Sequence, residues 1–374
     1  MILTNRCRMC LRHTDKVLEL SPTPIANNYA ARPDEAALRW PLDLQQCRKC
    51  KHIQIGYTVP GKFLFKGYAY RTPEAMLEPM RADAQALSLR YTGRRVLEIG
   101  SNNGLNLQAL RGAGFTALGI DPACGDDGIP EFFSSKLAAQ IARSNSFDLI
   151  VSRNTFAHVD DLRDLFTGIM LLLGEGGAVV FDVQYAPAMA ARGAFDMIYH
   201  EHKDYHTLAP WARFLRGYGL RITDYEMLAW HGGSVRIHAQ RRGMMVSLPD
   251  ETINWGRFKA KIDAEGKRLR AACEAAAGAN QVIAFGATAK ACTLIHHYRL
   301  APFIGYAVDS TPEKQGKYIP GTAIKILAPD AVMSSKSAKT LLLTAWNFEA
   351  EASAQFPDYP LIVPFALSSE RLAA

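Results

Sequence analysis

No stretch of this 374-residue chain approaches the roughly 20 consecutive apolar residues that a membrane-spanning helix needs, so no membrane partner is expected. The opening residues, Met1-Ile2-Leu3-Thr4-Asn5-Arg6-Cys7, lack the basic-then-apolar order of a secretory leader, and the expected location is cytoplasmic. Also missing is any RGG-like or aromatic-interleaved basic tract. The net charge of +7 is dispersed, with only short clusters such as Arg241-Arg242 and Lys267-Arg268-Arg270. That argues against nucleic acid and for a small anionic metabolite, such as a nucleotide, as the partner of a basic protein. The HExxH metal-binding pattern is absent, because Asp204 occupies the fourth position after His200. Sustained heptads are absent from the helical stretch near 255–277, which points to packing within the chain and to a monomer or weak homo-oligomer.

What is present is a soluble composition, 48% hydrophobic and 21% charged, on a chain too long for one ordinary core, so two or three domains are expected. Four of the seven cysteines form two CxxC pairs, Cys7/Cys10 and Cys47/Cys50, while Cys124, Cys273 and Cys292 stand apart. Paired CxxC knuckles in a reducing compartment indicate metal rather than disulfides. Residues 1–78 have few long apolar runs and cannot build a large core. A structural zinc held by the four thiolates would replace it.

Beyond an expected helix over 73–91, strands and helices alternate in the manner of a doubly wound sheet. Strands are expected at 95–100, 116–121, 147–153 and 177–183, with helices at 105–112 and 161–173, and further strands at 220–228 and 234–240. The turn after the first strand reads Glu98-Ile99-Gly100-Ser101-Asn102-Asn103-Gly104, and Asp121 closes the next strand about twenty residues on. Its glycines let backbone approach a ligand, and Asp121 is placed to accept hydrogen bonds from a ribose. A charged amphipathic helix is expected from 247 to 278 as a packed linker. A second αβ unit follows, where the small-residue turn Gly286-Ala287-Thr288-Ala289-Lys290 opens a helix and can hold a phosphate through N–H groups and one ammonium.

The densest chemistry lies at Tyr199-His200-Glu201-His202, between a central strand and a helix expected at 208–218. Two imidazoles flanking a carboxylate can move a proton near neutral pH. In a doubly wound sheet this loop faces the ligand crevice. A metal site made of Glu201 with His200, His202 and His206 is an alternative, since His202 and His206 are spaced by one helical turn.

The ExGxNxG turn with Asp121 resembles that of class I S-adenosylmethionine (SAM) methyltransferases, whose first motif carries an acid two residues before the first glycine, as Glu98 does. Asn154–His158 resembles their post-strand motif beneath the cofactor. Further stretches together resemble the nucleotide-sugar C-methyltransferases of deoxysugar biosynthesis: the CxxC knuckles, Pro24-Ile25-Ala26-Asn27, Tyr68/Tyr70, EIGSNNG, GIDPA, Ala157-His158, YHEH, HGGS, GATAK and VDSTPEKQGKYIPG. The chain departs from that family's pattern at Asn103, Thr288 and Gly67.

This resemblance implies an α/β protein with a class I SAM methyltransferase (Rossmann-like) core at 79–246, a small N-terminal zinc-binding domain at 1–78 and a C-terminal Rossmann-like domain at 247–374. It implies SAM and structural zinc as cofactors, and a nucleotide-linked 4-keto sugar, dTDP in type, as substrate. His202 matches the family's general base, Glu201 the adjacent acid that orients it or balances the imidazolium, and Tyr199 and His158 residues beside the sugar. Tyr68 or Tyr70 supplies a further tyrosine. Glu98, Gly100, Ser101, Asn102, Gly104, Asp121 and Asn154 would hold the cofactor, and His231, Gly232, Lys290 and Lys314 the substrate. Cys7, Cys10, Cys47 and Cys50 would hold the metal, and His200 would be structural. O-methylation, methylation at another carbon, and a non-catalytic zinc-knuckle binding protein for nucleic acid or a partner are the competing readings.

Overall fold

Short strands that carry apolar residues on both faces call for a sheet covered on both faces, and the central region forms one. The computed structural model describes residues 2–3, 5–33, 35, 37–60, 64, 71–125, 128–142, 146–229, 232–279, 281–333 and 339–365. Seven strands lie in the order Arg221–Leu228, Ser234–Gln240, Leu173–Gln184, Phe147–Arg153, Arg95–Ile99, Thr116–Ile120 and Gly128–Ile129. The last five in that order are mutually parallel, and Ser234–Gln240 runs antiparallel to both of its neighbours. Side chains alternate between two cores, as a period of two requires. Leu97, Ile150, Val179 and Phe181 pack under helices Leu162–Leu172 and Leu208–Arg216, whereas Val96, Leu149, Val151 and Val180 pack under helices Leu77–Arg90 and Leu105–Gly112.

The N-terminal part is a four-stranded antiparallel sheet, Thr14–Thr23, Trp40–Cys47, Ile53–Ile55 and Asp204–Tyr205. Its fourth strand comes from the middle of the chain, just after the YHEH cluster, so the sheet of the expected 1–78 zinc-binding domain is completed by residues about 150 positions later. The C-terminal part is a parallel five-stranded sheet in the order Lys325–Leu327, Ile304–Val308, Gln281–Phe285, Lys339–Leu342, Leu361–Ile362. The long helix begins at Trp255 rather than 247. Pro249 and the Asn254 side chain, which accepts the Arg257 N–H at 2.9 Å, define its start. Before it, Glu251 accepts the N–H groups of Leu208 and Ala209 at 2.7 and 3.0 Å, capping another helix. Phe258, Ile262, Leu269 and Cys273 form one buried stripe that joins the N-terminal strands, the segment around Phe195 and the C-terminal sheet in a single core. No helix among the described residues is long and apolar enough to cross a membrane.

Candidate active site

A cavity of about 1410 Å3 opens where the three sheets meet. At its central end, strand Arg95–Ile99 turns through Gly100 (φ +84°), Asn102 (φ +47°) and Gly104 (φ +82°) into helix Leu105–Gly112. A Cβ on Gly100 would stand 2.0 Å from Thr155 Oγ1, so only glycine lets this turn lie against the 154–158 segment. Asp121 is pinned beside the turn, accepting from the Asn102 N–H at 3.0 Å and the Ala123 N–H at 2.7 Å. Asn154 (φ +53°) donates its N–H to Asp182 O at 2.8 Å. Glu98 is buried on this wall. Its Oε1 accepts from Asn106 Nδ2 at 2.8 Å, and its Oε2 has no hydrogen-bond partner among the described residues. Burial pushes its carboxyl up to about 7, against the lowering pull of Asn106 and Arg153. Ser101 Oγ and both amide atoms of Gln184 are likewise buried, unpartnered and on the cavity wall. Orphaned polar atoms grouped around one cavity fit a polar ligand that completes their hydrogen bonds, so this end accommodates SAM.

Behind it lies a buried charge network that no local sequence signal announces. Arg153 donates to Asn106 Oδ1 at 3.0 Å and to Asp83 at 2.7 Å, and Arg236 donates to Asp182 and Asp83, each at 2.7 Å. Two guanidinium groups balance two carboxylates and fix Asn106 against Glu98. The residues come from two helices and three strands far apart in sequence. Only Asn106, polar within an otherwise apolar helix turn, leaves a trace in the sequence.

The YHEH segment follows strand Leu173–Gln184, helix Ala186–Arg192 and a turn at Phe195–Met197. Tyr199, His202 and His158 lie on the cavity wall. His202 Nδ1 contacts Met197 O at 3.1 Å, and since a carbonyl only accepts, Nδ1 carries the hydrogen and Nε2 presents its lone pair. The Tyr199 hydroxyl donates to that Nε2 at 2.6 Å. His158 Nδ1 likewise donates to Glu201 O at 2.8 Å, its ring 4.8 Å from that of His202. Burial lowers His158 to about 4, so it is neutral at pH 7 and its remaining nitrogen accepts rather than donates.

Glu201 is not the group that orients His202: the Met197 carbonyl is, and the Glu201 carboxylate accepts the N–H and side-chain amide of Asn27, each at 3.1 Å. Asn27 thus joins the site from the N-terminal domain, within a stretch whose resemblance was visible but whose role was not. The alternative metal site does not assemble either. His200 contacts Pro41 O, and His206 Nδ1 accepts from Trp211 at 3.2 Å. Among the described residues, the only group of three or more ligands that converges is the four cysteines.

The C-terminal wall carries Thr288, Lys290 and Lys314. Gly286 (φ +100°) allows the turn to approach Ala345, and Thr288 caps helix Ala289–Tyr298 through Ala291 N at 3.2 Å. Lys290 bonds Asn347 and lies 4.6 Å above the Trp346 ring, and burial pulls its ammonium down to about 8. Lys314 pairs with Asp309 at 3.0 Å. Tyr29 reaches the same wall by donating to Ala287 O at 2.7 Å. Gly232 does not line the cavity. A Cβ there would be 2.3 Å from the Trp346 ring, so this glycine serves the close packing of the central region on the C-terminal sheet. Tyr68, Tyr70 and His231 lie outside the described residues.

The two CxxC knuckles are copies of one turn. Leu11 N–H bonds Cys7 O at 2.8 Å and Lys51 N–H bonds Cys47 O at 3.1 Å, with Leu11 and Lys51 both left-handed (φ +60° and +68°). The four Sγ atoms lie within 4.8 Å of one another, with Cys7–Cys50 at 3.5 Å and Cys10–Cys47 at 3.4 Å. A tetrahedron with Zn–S bonds of about 2.3 Å has edges of about 3.8 Å, which these sulfurs fit with small adjustments.

Three family models match consecutive parts of the chain: "Putative zinc binding domain" over residues 7–65, "Methyltransferase domain" over 71–225 and "C-methyltransferase C-terminal domain" over 229–361. The C-methyltransferase NovU of Streptomyces niveus is 29% identical over 383 residues, covering 93% of this chain and 91% of that protein. Among solved structures, an O-methyltransferase family protein from Burkholderia thailandensis is 19% identical, with 46% of this chain and 58% of that one covered at a TM-score of 0.32. A SAM-dependent methyltransferase from Mesorhizobium loti is 18% identical, with 44% and 100% covered at 0.33. Overlaps this loose bear on neither substrate nor mechanism. Because the three family matches follow one another in the order of the three sheets, and a C-methyltransferase aligns along nearly the whole chain, the protein is a SAM-dependent methyltransferase similar in all three parts to C-methyltransferases.

Proposed function

We propose that the enzyme methylates C-3 of a nucleotide-linked 4-keto-6-deoxy sugar. The observation that carries this reading is the Tyr199–His202 pair, with the Nε2 lone pair fixed on the wall of a cavity that runs from the Glu98 turn to Lys290 and Lys314. A carbon next to a ketone is the sugar position whose proton an imidazole can remove. His202 Nε2 takes that proton, and the C–H electron pair moves into an enolate with its charge on the C-4 oxygen. The Tyr199 hydroxyl, released from Nε2, donates to that oxygen, a role the neutral His158 tautomer leaves to tyrosine. SAM bound at the Glu98 turn would supply an electrophilic methyl group to the enolate carbon and leave as S-adenosylhomocysteine, and the proton on His202 passes to water. Lys290, Lys314 and the Thr288-capped helix hold the diphosphate, and Glu98 and Asp121 hold the methyl donor.

The test is a screen of 4-keto sugar nucleotides, dTDP-linked first, with isotope-labelled SAM and NMR of the product. The new methyl is expected on the ring carbon next to the ketone. A methyl on oxygen would make the enzyme an O-methyltransferase, and turnover of none of the sugars would overturn the reading.

Glu98 gives cofactor binding a pH dependence. With its carboxyl near 7 in the free protein, it is mostly protonated at pH 6, and it must lose that proton to face a cationic ligand. Affinity for SAM therefore rises with pH up to about 7 and levels off above it, changing by roughly tenfold per unit on the acid side. Calorimetry from pH 5.5 to 8.5 reads this directly. Glu98→Gln should flatten the profile, and an unchanged slope in that variant would assign the dependence elsewhere.

A further inference from the structure

Arg8 lies inside the first knuckle, between Cys7 and Cys10, yet its side chain leaves the metal site and reaches the two loops that carry the histidines. Its Nε donates to both oxygens of Asp204, at 2.9 and 3.0 Å, two residues beyond His202. Its Nη1 donates to Asp160 O at 3.1 Å and its Nη2 to Val159 O, the residues that follow His158. The backbone is held as well, Arg8 N–H bonding Gln54 Oε1 at 2.9 Å on the strand that pairs with Asp204. The histidine loops also touch each other directly, through Lys203 N–H to Ala157 O at 2.7 Å and His158 to Glu201 O at 2.8 Å. One guanidinium thus closes the far side of a frame whose near side is the catalytic pair.

Asp204 is fully buried, and its second partner is His52 at 2.8 Å. Removal of Arg8 leaves a buried carboxylate short of its charge partner and frees two loop carbonyls, so both loops relax. The other arginines that dock the knuckle behave differently. Arg163 bonds Met9 O at 3.0 Å and Arg213 bonds Lys49 O at 3.2 Å, and neither bonds Asp204 or the carbonyls after His158.

We propose that Arg8 is a positioning residue, through which the zinc knuckle holds the His158 and His202 loops in register. The proposal rests on the roles given above to those two histidines. An error of about 1 Å in a catalytic group costs on the order of 10²-fold in rate, so the effect falls on kcat rather than on binding.

The experiment uses the full-length, zinc-loaded enzyme carrying Arg8→Gln, Arg8→Lys or Arg213→Gln, with His202→Asn alongside. Zinc content, S-adenosylhomocysteine affinity, kcat and KM with a dTDP-4-keto-6-deoxyhexose, and long-range proton–nitrogen spectra of the histidine rings are measured. Arg8→Gln is expected to keep zinc and S-adenosylhomocysteine affinity, to lose about 10²-fold in kcat, and to lose the sharp Nδ1–H tautomer signals of His158 and His202. Arg8→Lys keeps the charge without the fork and should fall between. Arg213→Gln should match the wild type in every readout. Wild-type ring signals in Arg8→Gln, or a kcat no lower than that of Arg213→Gln, overturn the proposal. So does a loss of kcat in step with lost zinc or lost S-adenosylhomocysteine binding, which marks a structural role only. Wild-type turnover in His202→Asn instead overturns the reading of the base. The ring spectra, which need no substrate, separate the two.

Discussion

Replacement of His202 by asparagine should leave S-adenosylhomocysteine binding at the wild-type level and lower methyl transfer by about 10²–10⁴-fold, the usual contribution of a general base. Solvent deuterium should also cease to exchange into the sugar at C-3, because in the proposed mechanism the same nitrogen serves both reactions. The geometry makes this specific. The Met197 carbonyl fixes the hydrogen on Nδ1, so Nε2 is the basic nitrogen, and Tyr199 holds it at 2.6 Å. His158, only 4.8 Å away ring to ring, is no substitute, because burial holds it down to about 4 and its proton is committed to Glu201 O. Tyr199→Phe should slow methylation while preserving more exchange than His202→Asn, since it removes the donor rather than the base. Exchange at the wild-type rate in His202→Asn would show that another group removes the proton.

Loss of the zinc site should have the largest effect on the fold. Structural zinc bound by thiolates is worth on the order of 10–16 kcal/mol in apparent binding free energy, as much as the whole stability of a typical domain. Cys47→Ser, or prolonged chelation, is therefore expected to melt strands Thr14–Thr23, Trp40–Cys47 and Ile53–Ile55. The loss should extend to Asp204–Tyr205, since that strand pairs with Ile53–Ile55 and the Ile55 N–H bonds Lys203 O at 3.0 Å. Hydrogen exchange read by mass spectrometry checks it. Protection should vanish in the N-terminal sheet and at 203–206, and persist in Arg95–Ile99 and Phe147–Arg153, which share no strand with it. Retained protection at 203–206 after zinc removal would show that the segment following His202 is held without the knuckles.

Much of the central architecture was legible because its signals are local. The strands at Arg95–Ile99, Phe147–Arg153 and Gln281–Phe285 announce themselves as largely apolar runs and Ser234–Gln240 by its strict alternation, and the glycines of the Glu98 turn announce a left-handed backbone. The N-terminal sheet was not legible. Strand Thr14–Thr23 buries only Leu18, Leu20 and Thr23, and two register shifts interrupt its pairing with Trp40–Cys47, so its alternation is too broken to read. Asp204–Tyr205 is two residues long, and nothing local marks it as a strand.

The same division runs through the site. Residue type and spacing alone were enough to single out the four cysteines, Glu98, Asp121 and the Tyr199–His202 cluster, because thiols in knuckles, an acid before a glycine turn and clustered imidazoles each carry their chemistry with them. The direction each side chain takes was decided by tertiary contacts. Met197 O selects the basic nitrogen of His202, Asn27 draws Glu201 away from it, and Trp346 claims the space beside Gly232. Arg8 bonds Asp204 across 196 residues. A tautomer, a buried carboxylate and a close packing contact are all set by partners distant in sequence. Such partners leave no periodic trace along the chain, and the fold alone brings them together.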